Sequence, residues 1–195
     1  PDAVVVFGDV QSEKLLSDYA IIFQGVSTGD GPRYCRKWWE IASHKPDWEF
    51  FHESPNSVTC LGLTGMIHTM QGRGPLASIG TAKKGLPAKG KTGIAIGVTG
   101  KNPIRRFLGT RFDGTVAVVV PKDDTCLLAI TTFTQSDDFI PAVRNVDQAL
   151  SVTESSFVKV PFDLAYWQVV AAEKYPNGLP EPHSDDPTQW LFNGD

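Results

Sequence analysis

The chain has 195 residues, 41% of them hydrophobic, and a formal net charge of −4. This length allows one sizeable hydrophobic core, so one domain with an appendage is favoured over two domains. The sequence contains no apolar run near the roughly 20 residues that span a bilayer, and residues 1–10 lack the features of a signal peptide. These properties argue against a membrane partner, and the cytoplasm is the expected location.

The cysteines and histidines predict neither disulfides nor a metal site. Cys35, Cys60 and Cys126 are odd in number and widely spaced, which favours reduced thiols. The four histidines are scattered, and no Cys/His pair has metal-ligand spacing. The chain begins with Pro1 rather than Met, which indicates processing or excision from a longer polypeptide.

Short elements separated by loops are predicted for the start of the chain. Val4–Phe7 and Ala20–Phe23 are apolar runs that end close to glycine, which is typical of strands. Ser12 is a suitable N-cap for a helix between them. Gly25–Arg33 is rich in glycine and small polar residues, which indicates a loop.

Aromatic and basic side chains are interleaved after this loop, in the segment Tyr34–Glu40. Because neighbouring residues of a strand point to opposite faces, at least one of Trp38 and Trp39 is expected to be partly exposed. Rings interleaved with cations suit stacking on bases and pairing with phosphates, although either tryptophan can instead fill the core. The candidates for a binding face in this region are Arg33, Arg36 and Lys37.

The middle of the chain has few regular patterns. Val58–Leu63 and Ile94–Val98 are plausible strands. Residues 72–93 are predicted to form a loop rich in glycine, which lets the backbone approach a ligand closely. A long irregular loop of this kind is typical of a functional or a disordered segment.

A buried strand and a capped helix are predicted next. Thr115–Val120 is an almost continuous apolar run, which is typical of a buried strand, and Pro121 is expected to end it. A helix from about Thr125 to Thr134 follows, for which Asp123 or Asp124 can serve as the cap.

The last third of the chain is predicted to hold two more helices and a strand. A helix begins near Ser136, and Pro141 must lie in its first turn or break it. Its buried side is formed by residues spaced three and four apart, namely Phe139, Val143, Val146 and Leu150. Phe157–Val160 is predicted as a strand, and a short helix at Leu164–Lys174 lies within a proline-rich tail.

Charge is distributed unevenly along the chain. Residues 54–112 contain no Asp or Glu, and their nine basic residues are Arg73, Lys83, Lys84, Lys89, Lys91, Lys101, Arg105, Arg106 and Arg111. The wider window 33–111 holds thirteen basic residues against Glu40, Asp47, Glu49 and Glu53, a formal charge of +9 that leaves −13 for the remainder. Segregation of this size predicts a surface that binds a polyanion, and the phosphate backbone of a nucleic acid is the first partner to test.

Two patterns suggest catalysis but lack the necessary context. Gly85–Thr92 matches the P-loop string, yet the residues after Thr92 are strand-like, whereas a P-loop opens a helix whose amides bind phosphates. Asp113, Asp123 and Asp124 are conceivable nuclease carboxylates, but the last two are also good helix caps. No catalytic residue is predicted, and a small nuclease or nucleotide hydrolase stays open as an alternative.

The motifs of base methylation are missing from the sequence. Methylation of an exocyclic base amine requires Asn or Asp followed by Pro-Pro and an aromatic ring, and Asn102–Arg105 lacks the second proline and the ring. No strand is followed by the Gly-rich turn of a methyl-donor pocket. The chain alone is therefore not expected to transfer a methyl group.

Five ordered strings of the sequence are Phe23–Glu40, Thr115–Asp123, Asn145–Thr153, Val158–Leu164 and Gly178–Phe192. Together they resemble a segment found beyond the catalytic domain of large bacterial N6-adenine DNA methyltransferases. These enzymes belong to type IIG and ISP restriction-modification systems and to BREX-like phage-exclusion systems. The resemblance covers most of residues 1–40 and 112–195, and it is weak from His44 to Arg111.

In such enzymes this region is the target recognition domain, similar in organisation to half of a type I specificity subunit. The resemblance implies that residues 44–111 vary with the DNA sequence that is recognised. It also implies S-adenosylmethionine as the cofactor of a parent enzyme that methylates adenine in DNA. The family's catalytic motifs do not map to this chain, so no cofactor is expected in the fragment itself.

We expect an α+β fold with a twisted mixed or antiparallel sheet, flanking helices and a Pro-rich C-terminal extension. Residues 1–160 are predicted to form the recognition domain. Residues 161–195 are predicted to form the extension, which packs on that domain or on a neighbouring one. The predicted partners are double-stranded DNA and the methyltransferase domain of the same polypeptide, and a module whose basic face binds an acidic protein is the other alternative.

The candidate DNA-binding residues are all basic. Most are expected to contact phosphates, and a minority, arginines more than lysines, to read guanine in the major groove. Gln71 and Asn102 are candidate adenine readers, against a plain surface role. The full basic set is Arg33, Arg36, Lys37, Arg73, Lys83, Lys84, Lys89, Lys91, Lys101, Arg105, Arg106 and Arg111.

Overall fold

The computed structural model describes residues 14–41, 47–53, 65–68, 70–71, 74–75 and 83–181. Their strands form two four-stranded sheets and one two-stranded sheet, and helices cover one face of the first sheet. This arrangement confirms the predicted α+β class. The strands predicted at Val4–Phe7 and Val58–Leu63, and the candidate residue Arg73, lie outside the described residues.

The described elements are numbered in chain order. The strands are β1 (Ala20–Gln24), β2 (Cys35–Lys37), β3 (Trp48–His52), β4 (Gly65–His68), β5 (Met70–Gln71), β6 (Gly74–Pro75), β7 (Gly93–Gly97), β8 (Ile104–Phe107), β9 (Arg111–Phe112) and β10 (Val116–Pro121). The helices are α1 (Leu16–Tyr19), α2 (Gly31–Tyr34), α3 (Leu127–Thr134), α4 (Phe139–Val146) and α5 (Leu164–Lys174).

The first sheet is antiparallel and has the strand order β1-β10-β7-β8. Successive residues of a strand point to opposite faces, and β10 uses both faces for burial. Ala117 and Val119 pack towards the helices, whereas Val116, Val118 and Val120 pack into a core on the opposite side. The continuous apolar run of β10 therefore reflects a strand with a core on each face.

The second sheet has the order β2-β4-β3-β9, in which β9 runs parallel to β3 and the other pairs are antiparallel. Phe51 and Ile67 pack on one of its faces with Val26. Phe112 of β9 belongs to the core on the side of the first sheet opposite the helices, where its ring centroid lies 5.3 Å from that of Phe107. Strand β9 therefore joins the two sheets.

Helix α5 has the bounds that the sequence predicts. It begins after Asp163, whose carboxylate accepts a hydrogen bond from Tyr166 N at 3.1 Å. Trp167 and Ala171 are buried in the main core, and the Trp167 ring packs against Phe133 of α3 at a centroid distance of 5.1 Å. Helix α5, which belongs to the segment predicted as a C-terminal extension, therefore packs on the core of the chain.

Among the described helices, none is long and apolar enough to cross a bilayer.

The strand predicted at Phe157–Val160 is wrong. A short 3₁₀ helix, Glu154–Val158, includes the first two residues of this segment, and the other two form a bend. The carboxylate of Asp147 accepts hydrogen bonds from Thr153 N at 2.9 Å and from Ser156 Oγ at 3.0 Å, and these bonds favour a turn over an extended strand. A local polar interaction therefore overrides the strand preference of the apolar residues.

Two further local predictions need correction. Val146 and Leu150 do not contribute to the buried side of α4, because the helix ends at Val146 and the two residues are 44% and 87% exposed. Helix α2 forms at the end of a segment that was predicted as a loop. Asp30 caps it by accepting a hydrogen bond from its third residue, and Pro32 occupies its first turn.

Candidate nucleic-acid interface

Four of the candidate lysines lie in one short segment, residues 83–91, which we name the lysine loop. Its lysines are all exposed: Lys83, Lys84, Lys89 and Lys91. A 3₁₀ helix, Leu86–Ala88, lies at its centre, and Ala88 is buried in the core on the side of the first sheet opposite the helices. One small apolar residue therefore anchors the loop, while its charged side chains stay in solvent.

Glycines bring the lysine loop close to neighbouring backbone and side chains. Gly85 has a φ of +73°, and a Cβ built there would lie 2.7 Å from the Phe112 ring. Gly90 N donates a hydrogen bond to Gly109 O at 2.8 Å. Gly109 has a φ of +83°, and its Cβ would lie 2.9 Å from the Gly90 backbone. Both Gly85 and Gly109 thus combine left-handed backbone with a contact that has no room for a side chain.

Two side chains of the lysine loop contact the edge strand β1. Lys84 Nζ donates a hydrogen bond to Gln24 Oε1. Lys91 Nζ lies 6.0 Å from the centroid of the Phe23 ring. These contacts hold the loop against the edge strand of the first sheet, and the loop then leads into β7.

Glu49 is a carboxylate within this basic surface. Its Oε2 lies 2.5 Å from Lys89 Nζ, so the lysine loop is tied to β3 of the second sheet. Arg111, on the neighbouring strand β9, is buried. Burial lowers the pKa of its guanidinium, and the charge of Glu49 opposes that shift. Glu49 therefore offsets positive charge that comes from both the loop and the second sheet.

Two of the candidate arginines lie at α2 and β2 and contact their own segment. The Arg33 guanidinium carbon lies 4.9 Å from the centroid of the Tyr34 ring, a cation–π contact. Arg36 Nη1 donates hydrogen bonds to Pro32 O and, at 2.8 Å, to Cys35 O. Binding of a phosphate by Arg36 would compete with these backbone contacts.

Lys37 is the third candidate in this region, and its Nζ forms an ion pair with Glu53 at the end of β3. Glu49 and Glu53 are four residues apart, which places both carboxylates on one face of an extended chain.

Trp39 lies two residues after Lys37 and is 52% exposed, which confirms that at least one of the adjacent tryptophans reaches solvent.

The remaining candidates divide between the two sides of the first sheet. Lys101 lies in the turn after β7, whereas the lysine loop leads into the start of that strand. Arg105 pairs with Ala95, whose side chain belongs to the same core as the loop. Arg106 therefore points to the helix side, where its Nη1 donates to Pro180 O at 3.1 Å. The fold keeps Arg105 on the side of the lysine loop and separates Lys101 and Arg106 from it.

Asn102 is not available to read a base. It is buried, with a φ of +49°, in the turn before β8. Its Nδ2 donates to Gly97 O at 2.9 Å, and its Oδ1 accepts from Arg144 Nη2 at 2.8 Å. The interpretation of Asn102 as an adenine reader is therefore wrong, because both ends of its amide are bonded inside the protein. The side chain of Gln71 lies outside the described part of the chain.

The P-loop-like string Gly85–Thr92 leads directly into strand β7 and not into a helix. The glycine-rich turn therefore lacks the helix N-terminus that binds phosphates in nucleotide hydrolases. Within the described ranges, no three His, Cys, Asp or Glu residues are grouped closely enough to hold a metal ion.

Two titratable groups, one buried and one partly buried, have shifted pKa values that the sequence patterns did not predict. His52 is buried next to Phe107, and burial lowers the pKa of its imidazole to about 4. The Cys35 thiol has its pKa raised to about 11, mainly by burial and further by the charges of Asp113 and Glu53. The aromatic run that precedes His52 is a signal that could have predicted its burial.

No protein-family model matches this chain, and no curated protein sequence matches it significantly. The fold and the site therefore define its class by themselves. It is an α+β domain with a lysine-rich loop at the junction of two sheets.

Proposed function

We propose that this chain is the sequence-specific, double-stranded DNA recognition domain of an adenine-specific, S-adenosylmethionine-dependent DNA methyltransferase. The observation that supports this most directly is the lysine loop, in which four exposed lysines fall within residues 83–91. Ammonium groups suit the phosphate contacts that fix a protein on duplex DNA. The strings that resemble methyltransferase recognition domains supply the second support.

Lysines and arginines have different roles in this proposal because their side chains differ in chemistry. The lysine loop contacts phosphates, while arginines on the same side read base edges, since guanidinium forms a bidentate contact with guanine. Arg105 is the first candidate for base reading because it lies on the side of the sheet that carries the loop. The linked methyltransferase domain binds the methyl donor and acts on an adenine flipped out of the selected site, in the cytoplasm.

A salt titration of duplex binding tests the proposal. The wild-type chain is compared with a Lys83→Gln, Lys84→Gln, Lys91→Gln variant, using fluorescence anisotropy of a labelled duplex. Each lost phosphate contact is expected to flatten the slope of log K against log salt by about 0.9, so three lost contacts flatten it by roughly 2.7. The affinity is expected to fall for every duplex sequence, because phosphate contacts carry no sequence information.

A matched triple variant controls for net charge. Lys122, Lys159 and Lys174 are exposed lysines outside the lysine loop, and their replacement by Gln is expected to leave the slope unchanged. Equal losses in both triple variants, or no loss in the loop variant, would contradict the proposal. Salt-sensitive binding to an acidic protein without duplex affinity would instead identify a protein-interaction module, and metal-dependent turnover by the isolated chain would identify an enzyme.

A further inference from the structure

A carboxylate beside the lysine loop works against binding of a polyanion. Glu49 contacts Lys89 at 2.5 Å, and Arg111 lies on the strand that pairs with β3. A phosphate that approaches Lys89 must displace Glu49 and then lies near a negative charge. Both effects lower the affinity for phosphate.

The pair is accessible enough to be displaced. The side chains of Lys89 and Glu49 are 48% and 30% exposed, respectively. Ion pairs between partly solvated groups contribute little net stability, so a phosphate can replace the carboxylate without a large structural cost. The Lys89–Glu49 pair is therefore suited to exchange rather than to permanent structure.

We propose that Glu49 is an internal competitor for phosphate, which keeps Lys89 occupied and thereby suppresses binding of the lysine loop to non-cognate duplexes. This inference rests on the proposed function. A phosphate contact carries no sequence information, so this competition weakens binding to every duplex by a similar factor. It thereby lowers the affinity for a non-cognate duplex, which depends on phosphate contacts alone.

A purely structural role for Glu49 makes a different prediction. Arg111 is buried, and Glu49 supplies a nearby opposite charge. If that were its whole role, Glu49→Gln would lower the melting temperature and leave duplex binding unchanged or weaker. As an internal competitor, Glu49→Gln tightens binding to a random-sequence duplex several-fold and steepens the salt slope by about 0.9, the value for one added phosphate contact.

The experiment compares Glu49→Gln with Glu173→Gln, which removes the same charge from an exposed position on α5. Anisotropy titrations with a random-sequence duplex give the affinity and the salt slope. Tighter binding and a steeper slope for Glu49→Gln alone support the inference, and equal tightening in both variants overturns it in favour of net charge. Glu49→Asp keeps the negative charge but shortens the side chain by one methylene, which weakens the contact with Lys89, so it is expected to fold and to tighten binding by a smaller factor.

The two proposals fail in distinguishable ways. If the triple loop variant weakens duplex binding while both Glu49 variants bind like the wild type, the competitor role is wrong and the DNA-binding proposal stands. If neither the wild type nor Glu49→Gln binds duplex, both are wrong.

Discussion

The two sides of the first sheet are built from different kinds of interaction. On the helix side, aromatic rings pack against one another. The ring of Phe133 lies 5.3, 5.3 and 5.1 Å, centroid to centroid, from the rings of Phe139, Phe162 and Trp167. On the opposite side, a smaller core is bordered by the lysine loop, whose Lys89 forms an ion pair with Glu49 of the second sheet. The difference indicates that stability resides mainly on the helix side, whereas the proposed binding of a polyanion involves the loop side, so substitutions should separate the two.

The largest effect is expected on the helix side. Phe133→Ala removes a ring that packs against three others, and it is expected to lower the free energy of unfolding by about 3–5 kcal/mol. Urea denaturation measures this. Val169→Ala on the exposed side of α5 is the control, expected to stay within about 0.5 kcal/mol. A decrease in the free energy of unfolding below about 1 kcal/mol for Phe133→Ala would show that the Phe133 ring is not part of the main core.

The second effect depends on pH and arises on the loop side. Burial lowers the pKa of His52 from 6.5 to about 4, so the unfolded chain binds the proton more readily than the folded one. Stability from this residue is complete above pH 6.5 and is lost as the pH falls towards 4. Between pH 7.5 and pH 5 the expected loss is about 2 kcal/mol, since one pKa unit corresponds to about 1.4 kcal/mol.

Urea denaturation of the wild type and of His52→Gln at both pH values measures that contribution. The variant cannot take up the proton at this position, so its stability is expected to change less between the two pH values. An identical pH dependence in the two proteins would mean that His52 is not held neutral by burial.

The most local effect concerns the attachment of the lysine loop. Gly109 has a φ of +83°, and the Cβ added by Gly109→Ala would lie 2.9 Å from the Gly90 backbone. The substitution is expected to lower the free energy of unfolding by more than the roughly 1–2 kcal/mol that left-handed backbone alone costs. Gly100→Ala is the matched control, because Gly100 has a φ of +65° with nothing within 4 Å of its Cβ. Hydrogen exchange of Gly90 N–H, which bonds Gly109 O, should accelerate in Gly109→Ala and not in Gly100→Ala.

The sequence predicted those elements whose signals are local. The apolar run Thr115–Val120 and the helix Leu164–Lys174 could be predicted because strand burial and helix capping depend on neighbouring residues. The observed strand, Val116–Pro121, also includes the proline that was expected to end it. The concentration of lysines in residues 83–91 could be recognised from the sequence because it also involves neighbouring residues.

The remaining features depend on contacts between distant segments. Lys89 and Glu49 are 40 residues apart, so nothing in either local sequence indicates their ion pair. Asn102 was interpreted as a surface residue, and its burial follows from a bond to Arg144 that lies 42 residues away. Phe157–Val160 had a strand-like composition, but the Asp147 carboxylate fixes a turn there.

The most direct test of the account is lysine acetylation footprinting of the unmodified chain with and without duplex DNA. At low salt, the duplex is expected to protect Lys83, Lys84 and Lys91 from acetylation and to leave Lys122, Lys159 and Lys174 reactive. High salt should remove the protection. Uniform protection of all these lysines, or none in the lysine loop under conditions where duplex is bound, would contradict the claim that this loop is the DNA-binding surface.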